Sequence, residues 1–201
     1  MMRSHPTIPI RPWGPTPATP SFPILESKLT PAPTRPGLVP RARLLDRLEA
    51  MAGTPVVAIC APAGYGKTVL AVEWAKRDPR PFVWLSIDRH DNDPAVLLTY
   101  LAVGLDRVEP IDPTVLDVLA SRRTSIGRTV LPRMGAALAS KALPVVVVLD
   151  DAHLLHDQEG REAVAVLVDH LPPGSQLAVT SRGEYTLSLH DALPIYRKSV
   201  V

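Results

Sequence analysis

Apolar and polar positions change period in blocks along this chain, from short runs of strand length to longer stretches with helical spacing. Leu38–Ala52 places Leu44, Leu45, Leu48 and Met51 on one helical face. Val56–Cys60 is a β-branched apolar run that suits a buried parallel strand. Thr68–Arg77 repeats Val69, Val72 and Ala75 every third residue and predicts a helix, and Phe82–Ile87 predicts the next strand. Pro94–Val108 opens on proline after Asp93, a helix start, and its leucines keep helical spacing. Pro113–Ala120 and Thr129–Ser140 predict two further helices, split by a polar link at Ser125–Arg128. Val145–Leu149 is the clearest strand. Gly160–Leu171 reads as a helix stopped by Pro172-Pro173-Gly174, and Gln176–Thr180 as the last strand. Strands alternating with helices imply right-handed crossovers and a parallel sheet covered on both faces, a three-layer α/β domain without internal repeats.

Composition changes the picture at the two ends. Of 201 residues, 23 are proline, and they crowd residues 1–24, which read as a disordered or polyproline-like arm. The boundary between arm and domain falls between Leu25 and Val39. Residues 186–195, TLSLHDALPI, are the codon-by-codon translation of the sequencing-adapter run ACT CTT TCC CTA CAC GAC GCT CTT CCG ATC. Residues 184–201 are therefore read as an artefactual tail, which gives His190 and Asp191 no catalytic meaning. The domain spans residues 25–183. The formal net charge of +2 does not call for nucleic acid. The apolar stretch Ala142–Leu149 falls well short of the ~20 residues a membrane helix needs. A single cysteine, Cys60, sits in an apolar run and reads as a small buried side chain in a reducing compartment. Together these predict a soluble, cytoplasmic protein without membrane contact.

The chemistry is concentrated at strand ends. Ala61-Pro62-Ala63-Gly64-Tyr65-Gly66-Lys67-Thr68 fits the phosphate-binding pattern G-x-x-x-x-G-K-[ST] in all but its first glycine. It also lies where that pattern must lie, between a strand and a helix, so that backbone N–H groups can curl around phosphate oxygens at the helix's positive end. Gly64 and Gly66 supply unusual backbone angles, Lys67 reaches the β and γ phosphates, and the Thr68 hydroxyl binds Mg2+. The bland alternative is a glycine-containing turn with an incidental lysine. Asp150 and Asp151 end the four-valine strand, where open parallel sheets bind ligands. Two adjacent carboxylates there call for positive charge, which nucleotide-bound Mg2+ provides. Asp150 is assigned to the metal and Asp151 to the attacking water, against the alternative of an Asp-Asp turn capping a helix. Arg182, just past the last strand, is a candidate sensor of the γ-phosphate.

Other polar residues invite plainer readings. Asp88, Asp91 and Asp93 resemble a metal cluster but lie between a strand and a proline-led helix, so turn and N-cap roles are favoured. Trp74 and Trp84 read as core. His153 is divided between packing and function, and Arg41 and Arg43 read as solvated.

LESKLTPAPTRPGLVPRARLLDRL, APAGYGKT, WLSIDRHDNDP, VVVVLDDAHLL and LAVTSR, in this order, resemble the ATPase domain of large LuxR-type transcriptional regulators. These are signal-transducing (STAND-type) P-loop ATPases, and the resemblance runs from about Leu25 to Arg182. It implies a sheet in which the Thr180 strand separates the P-loop strand from the Asp150 strand. It also implies an ATP/ADP-driven switch whose intact parent self-associates, and it places Val39 and Arg41 near the adenine. The family continues past Ser-Arg with a further strand and later domains, so the sheet is expected to be incomplete at its C-terminal edge. DNA contact would belong to a C-terminal helix-turn-helix absent from this sequence. The competing readings are a constitutive P-loop ATPase or kinase and a scaffold with a degenerate P-loop.

Overall fold

The computed structural model describes residues 20–31, 33, 37, 41–121 and 124–183. Residues 1–19 of the arm, the adapter-like tail and Val39 lie outside the described residues. The elements are α1 (Ala42–Glu49), β1 (Val56–Cys60), α2 (Lys67–Arg77), β2 (Phe82–Ser86), α3 (Pro94–Val108), α4 (Thr114–Ala120), α5 (Leu131–Ala139), β3 (Val146–Asp150), α6 (Gln158–Asp169) and β4 (Gln176–Ser181). Short 3-10 turns occupy Glu26–Lys28, Arg89–Asn92 and Ala152–Leu154.

The strands pair in parallel in the order β1-β4-β3-β2, so β4 separates β1 from β3 as the resemblance implied. The valine run explains why the sheet is covered on both sides. Successive side chains of a strand point to opposite faces, and every residue of β3 is buried. Val146 and Val148 join Val57, Ile59 and Ala178 beneath α1 and α2. Val147 and Leu149 join Val83, Leu85 and Val179 beneath α3 to α6. At roughly 1.5–3 kcal/mol for each fully buried aliphatic side chain, two such clusters hold the three layers together.

The face of α2 is rotated from the one its spacing predicted. Leu70, Ala71 and Trp74 are buried, whereas Val69 and Ala75 are only half-buried and Val72 lies at the edge of the face. Lys67 is the cause. The loop before the helix turns the Lys67 side chain inward, to 8% exposure, and residues three, four and seven positions later follow it to the same side. Trp74 then meets Phe82 edge-on, with ring centroids 5.2 Å apart. Trp84 is buried as expected, but Cys60, at the strand's end, is half-buried rather than enclosed. The link at Ser125–Arg128 also differs. It enters a wide π-type turn, Ile126–Val130, and α5 starts only at Leu131, because Pro132 has no N–H to give to a preceding turn.

The Asp88–Asp93 segment behaves as a capped turn. Asp88 accepts from His90 N at 2.7 Å, and Asp93 caps α3 through Ala95 N at 2.9 Å. Asp91 is fully buried and faces Lys28, whose Nζ donates to its Oδ1 and Oδ2 at 2.6 and 2.5 Å. Lys28 Nζ also stands 4.7 Å from the centre of the Tyr100 ring. The packed body thus takes in residues ahead of Leu25, and Phe22 lies 5.7 Å from Tyr100 between ring centroids.

Removing Lys28 takes the cation from the buried Asp91 carboxylate, and removing Asp91 leaves the buried ammonium only the part-exposed Asp88, 3.2 Å away. Asp91→Ala is expected to lower unfolding free energy by about 3 kcal/mol or more in urea titration. Burial already holds the Asp91 carboxyl above its ordinary range despite Lys28. In Lys28→Met that cation is lost, so the native state keeps its proton to still higher pH than the unfolded chain does. Wild type and variant both lose stability as pH rises past the unfolded carboxyl's range, but the variant continues to lose it to higher pH. Its deficit is therefore expected to deepen above the pH at which native wild-type Asp91 ionises.

Candidate nucleotide site

The loop Ala61–Thr68 leaves β1 at the C-terminal end of the sheet, tied to the next strand by Ala61 N donating to Ser181 O at 3.2 Å. Gly64 and Gly66 have φ of +83° and +73°, left-handed conformations that a side chain disfavours. Gly66 is the N-cap residue of α2 and supplies no side-chain cap. The helix's first N–H groups therefore keep their capacity to meet an anion, where the helix dipole is positive. Ala61 stands where the pattern has glycine, and its φ is not positive. Pro62, Ala63, Gly64 and Tyr65 form the exposed rim of the loop, with Tyr65 58% exposed.

Lys67 Nζ donates to Ala61 O at 3.0 Å and to Pro62 O at 3.2 Å, so the ammonium lies inside the curl of the loop. Arg41 is not simply solvated. Its Nη1 donates to Tyr65 O at 2.5 Å, and its guanidinium covers Gly66, where an added Cβ would come within 3.2 Å of Nη2. Arg43 is exposed.

Asp150 is 6% exposed at the end of β3. Thr68 Oγ1 donates to both of its carboxylate oxygens, at 3.0 and 2.9 Å, and Thr180 Oγ1 donates to Oδ1 at 2.5 Å. Burial pushes the Asp150 carboxyl above its ordinary value; the threonine hydroxyls oppose that shift, and neighbouring Asp151 adds to it. Asp151 follows with φ +57°, a left-handed conformation uncommon outside glycine, and its backbone N–H is held by Thr180 Oγ1 at 2.9 Å. The Asp151 side chain is 43% exposed, turned out of the sheet, with His153 Nδ1 3.7 Å from Oδ1. Burial is the main cause holding the His153 imidazole below its ordinary value, with Arg182 and Lys67 adding to it against the opposing pull of Asp151. Arg182 itself is exposed just beyond β4.

The structure thus gathers Lys67, Thr68, Asp150, Asp151 and Arg182 at one end of the sheet, with Arg41 across the loop. Val39 lies outside the described residues. The donor set fits magnesium in its chemistry: a hydroxyl and a carboxylate, both hard oxygen donors, within 3.0 Å of each other beside a loop suited to phosphate. Sequence reasoning missed Thr180. Its hydroxyl meets both Asp150 and the Asp151 backbone, yet in the sequence it is one more β-branched residue in a strand. A threonine in the strand adjoining the Asp150 strand, two residues before Arg182, was the available signal.

Linkage gives a test of the buried carboxylate. The native state holds the Asp150 proton above the pH at which the unfolded chain releases it, so this group's contribution to stability falls as pH rises between those two points. Asp150→Asn removes that dependence. In urea unfolding without nucleotide, the variant is expected to gain on wild type as pH rises from about 4; a constant difference would mean that Asp150 is not desolvated.

A family model described as an AAA domain matches residues 51–187. HTH-type transcriptional regulator MalT of Vibrio cholerae is 34% identical over 154 residues, covering 74% of this chain and 17% of that protein. Serine/threonine-protein kinase PknK of Mycobacterium tuberculosis is 33% identical over 172 residues, covering 84% of this chain and 16% of the kinase. MalT of Cronobacter sakazakii is 30% identical over 160 residues, or 79% of this chain and 18% of that regulator. The matched stretch is therefore under a fifth of the length of these curated relatives.

Proposed function

The chain belongs to the AAA-domain family, and from that premise we propose that it binds ATP with Mg2+ and serves as the nucleotide-driven regulatory module of a larger transcriptional regulator. The observation that carries this reading is the Thr68–Asp150 pair, clamped by Thr180 and set beside the inward-turned Lys67. A buried acid with raised pKa, held by hydroxyls at the mouth of a phosphate-type loop, is costly for the fold alone.

The loop N–H groups from Ala61 to Thr68 and the N-terminus of α2 receive the phosphate oxygens. Lys67 exchanges its bonds to the Ala61 and Pro62 carbonyls for the β and γ phosphates. Thr68 and Asp150 hold Mg2+, which when bound neutralises phosphate charge and fixes phosphate orientation. Asp151, outside the sheet and less buried, orients the attacking water and accepts its proton. Arg182 offsets the charge that develops on the γ-phosphate. In this reading Arg41 neighbours the nucleotide, which its hydrogen bond to the Tyr65 carbonyl in the phosphate loop supports, and Val39 is carried over from the family resemblance alone.

Hydrolysis in this scheme is slow and regulatory. ATP favours an active, self-associating form of the parent protein, and ADP favours the resting one. DNA is reached only through a C-terminal domain, and the setting is cytoplasmic. Similarity to a kinase over 84% of the chain favours a second reading, in which the same module serves a regulator whose output is not DNA binding.

In equilibrium titration of the full chain with fluorescent ATP, Lys67→Ala is expected to weaken affinity about 10- to 100-fold, the loss of charge-assisted bonds to phosphate. Asp150→Asn is expected to bind ATP with no gain on adding Mg2+. A folded wild type without measurable ATP affinity would leave the scaffold reading in its place. Asp151→Asn is expected to keep ATP affinity within about 3-fold and to lose at least about 100-fold in single-turnover hydrolysis.

A further inference from the structure

The loop that carries Asp151 is fastened at its far end by a residue that the proposed mechanism does not use. Asn92 closes the turn after β2, and three of its four side-chain hydrogen bonds reach the loop after β3. Its Nδ2 donates to Leu154 O at 2.9 Å and to Arg89 O at 3.2 Å. Its Oδ1 accepts from His156 N at 2.6 Å and from Asp157 N at 2.8 Å. One amide therefore donates to a carbonyl in each of two loops and accepts from two N–H groups of the second, with Leu154, His156 and Asp157 more than 60 residues from it. The base of that amide is itself fixed. Asp91, the preceding residue, is locked by Lys28 and by Asp88 N, which donates to Asp91 Oδ2 at 2.7 Å. Asp157, whose backbone Asn92 holds, is in turn the N-cap of α6 through Gly160 N at 2.7 Å.

At the near end of the same loop Asp151 N donates to Thr180 Oγ1, Asp151 O accepts from Leu154 N at 3.0 Å, and Ala152 is fully buried. Between those two anchors lie Asp151 in its left-handed conformation and the short turn Ala152–Leu154. A non-glycine residue at φ +57° is kept there by its surroundings, since its intrinsic preference is for other angles. Fixing Leu154, His156 and Asp157 limits how far the turn can unwind, and so where the Asp151 carboxylate stands.

We propose that Asn92 is a positioning residue of the nucleotide site, which acts through the backbone of residues 154–157 to hold Asp151 in place for the attacking water. This rests on the ATPase reading above. Asn92 touches no reacting atom, and its effect belongs to turnover rather than to nucleotide affinity, because the phosphate loop lies on a different connection of the sheet.

The test compares wild type and the isosteric Asn92→Asp in the full chain. The substitution keeps an acceptor for His156 N and Asp157 N but turns the donor facing Leu154 O into an acceptor. Thermal melting, affinity for fluorescent ATP with Mg2+, single-turnover hydrolysis and amide exchange over residues 152–157 are measured together. Affinity within about 3-fold of wild type, hydrolysis slower by about 10- to 100-fold and faster exchange in residues 152–157 are expected, the size of loss typical when a supporting residue lets a reacting group shift by about 1 Å. An equal loss of affinity and turnover would make Asn92 a fold residue and overturn the proposal. Unchanged turnover in Asn92→Asp beside an active wild type would overturn this inference alone. A wild type that binds and hydrolyses no ATP would overturn the function reading and this inference with it.

Discussion

The Asp150 carboxylate, shut between two threonine hydroxyls at the end of an aliphatic strand, is the constraint around which the rest of the molecule is arranged. A buried acid is tolerated only where hydrogen bonds and nearby charge offset its desolvation. Thr68 comes from the first turn of α2 and Thr180 from the end of β4, so the acid is satisfied only if three elements meet in register. That requires β4 between β1 and β3, which in turn needs crossover helices on both faces to close the connections. The strand order and the site are one requirement seen at two scales.

The inward Lys67 is the second half of the same arrangement. Its position sets the rotation of α2, which sends Leu70, Ala71 and Trp74 into the cluster below. A functional side chain thus decides which apolar residues become core. Neither feature is what the packing of a sheet alone would select: a cation and a carboxylate, both nearly buried, held at one edge of two aliphatic clusters. Local cost of this kind concentrates where a protein must later exchange internal bonds for a ligand.

Much of this was legible in the sequence because its signals are local. The valine run, the Asp93-Pro94 helix start and the Ala61–Thr68 loop each carry their own period or punctuation, and the strands and helices appear within a few residues of where these placed them. What depends on contacts across the chain was not legible. Lys28 finds Asp91 63 residues away, and no pattern near either marks the pair. Thr180 was hidden by its suitability for a strand, and Asn92 by its suitability for a turn. The face of α2 was misplaced because a three-residue repeat of Val69, Val72 and Ala75 cannot register that a charged residue would turn inward. Arg41 is exposed, as its charge suggests, but its bond to the carbonyl of Tyr65, 24 positions later, has no local signal.

The most direct test of the central claim is a crystal structure of the full chain with Mg2+ and a non-hydrolysable ATP analogue. The account predicts that Lys67 Nζ leaves the Ala61 and Pro62 carbonyls for phosphate oxygens, and that the direct Thr68–Asp150 hydrogen bonds are replaced by a cation between the two side chains. A triphosphate bound elsewhere, with the Thr68–Asp150 and Lys67–carbonyl bonds intact, would contradict it.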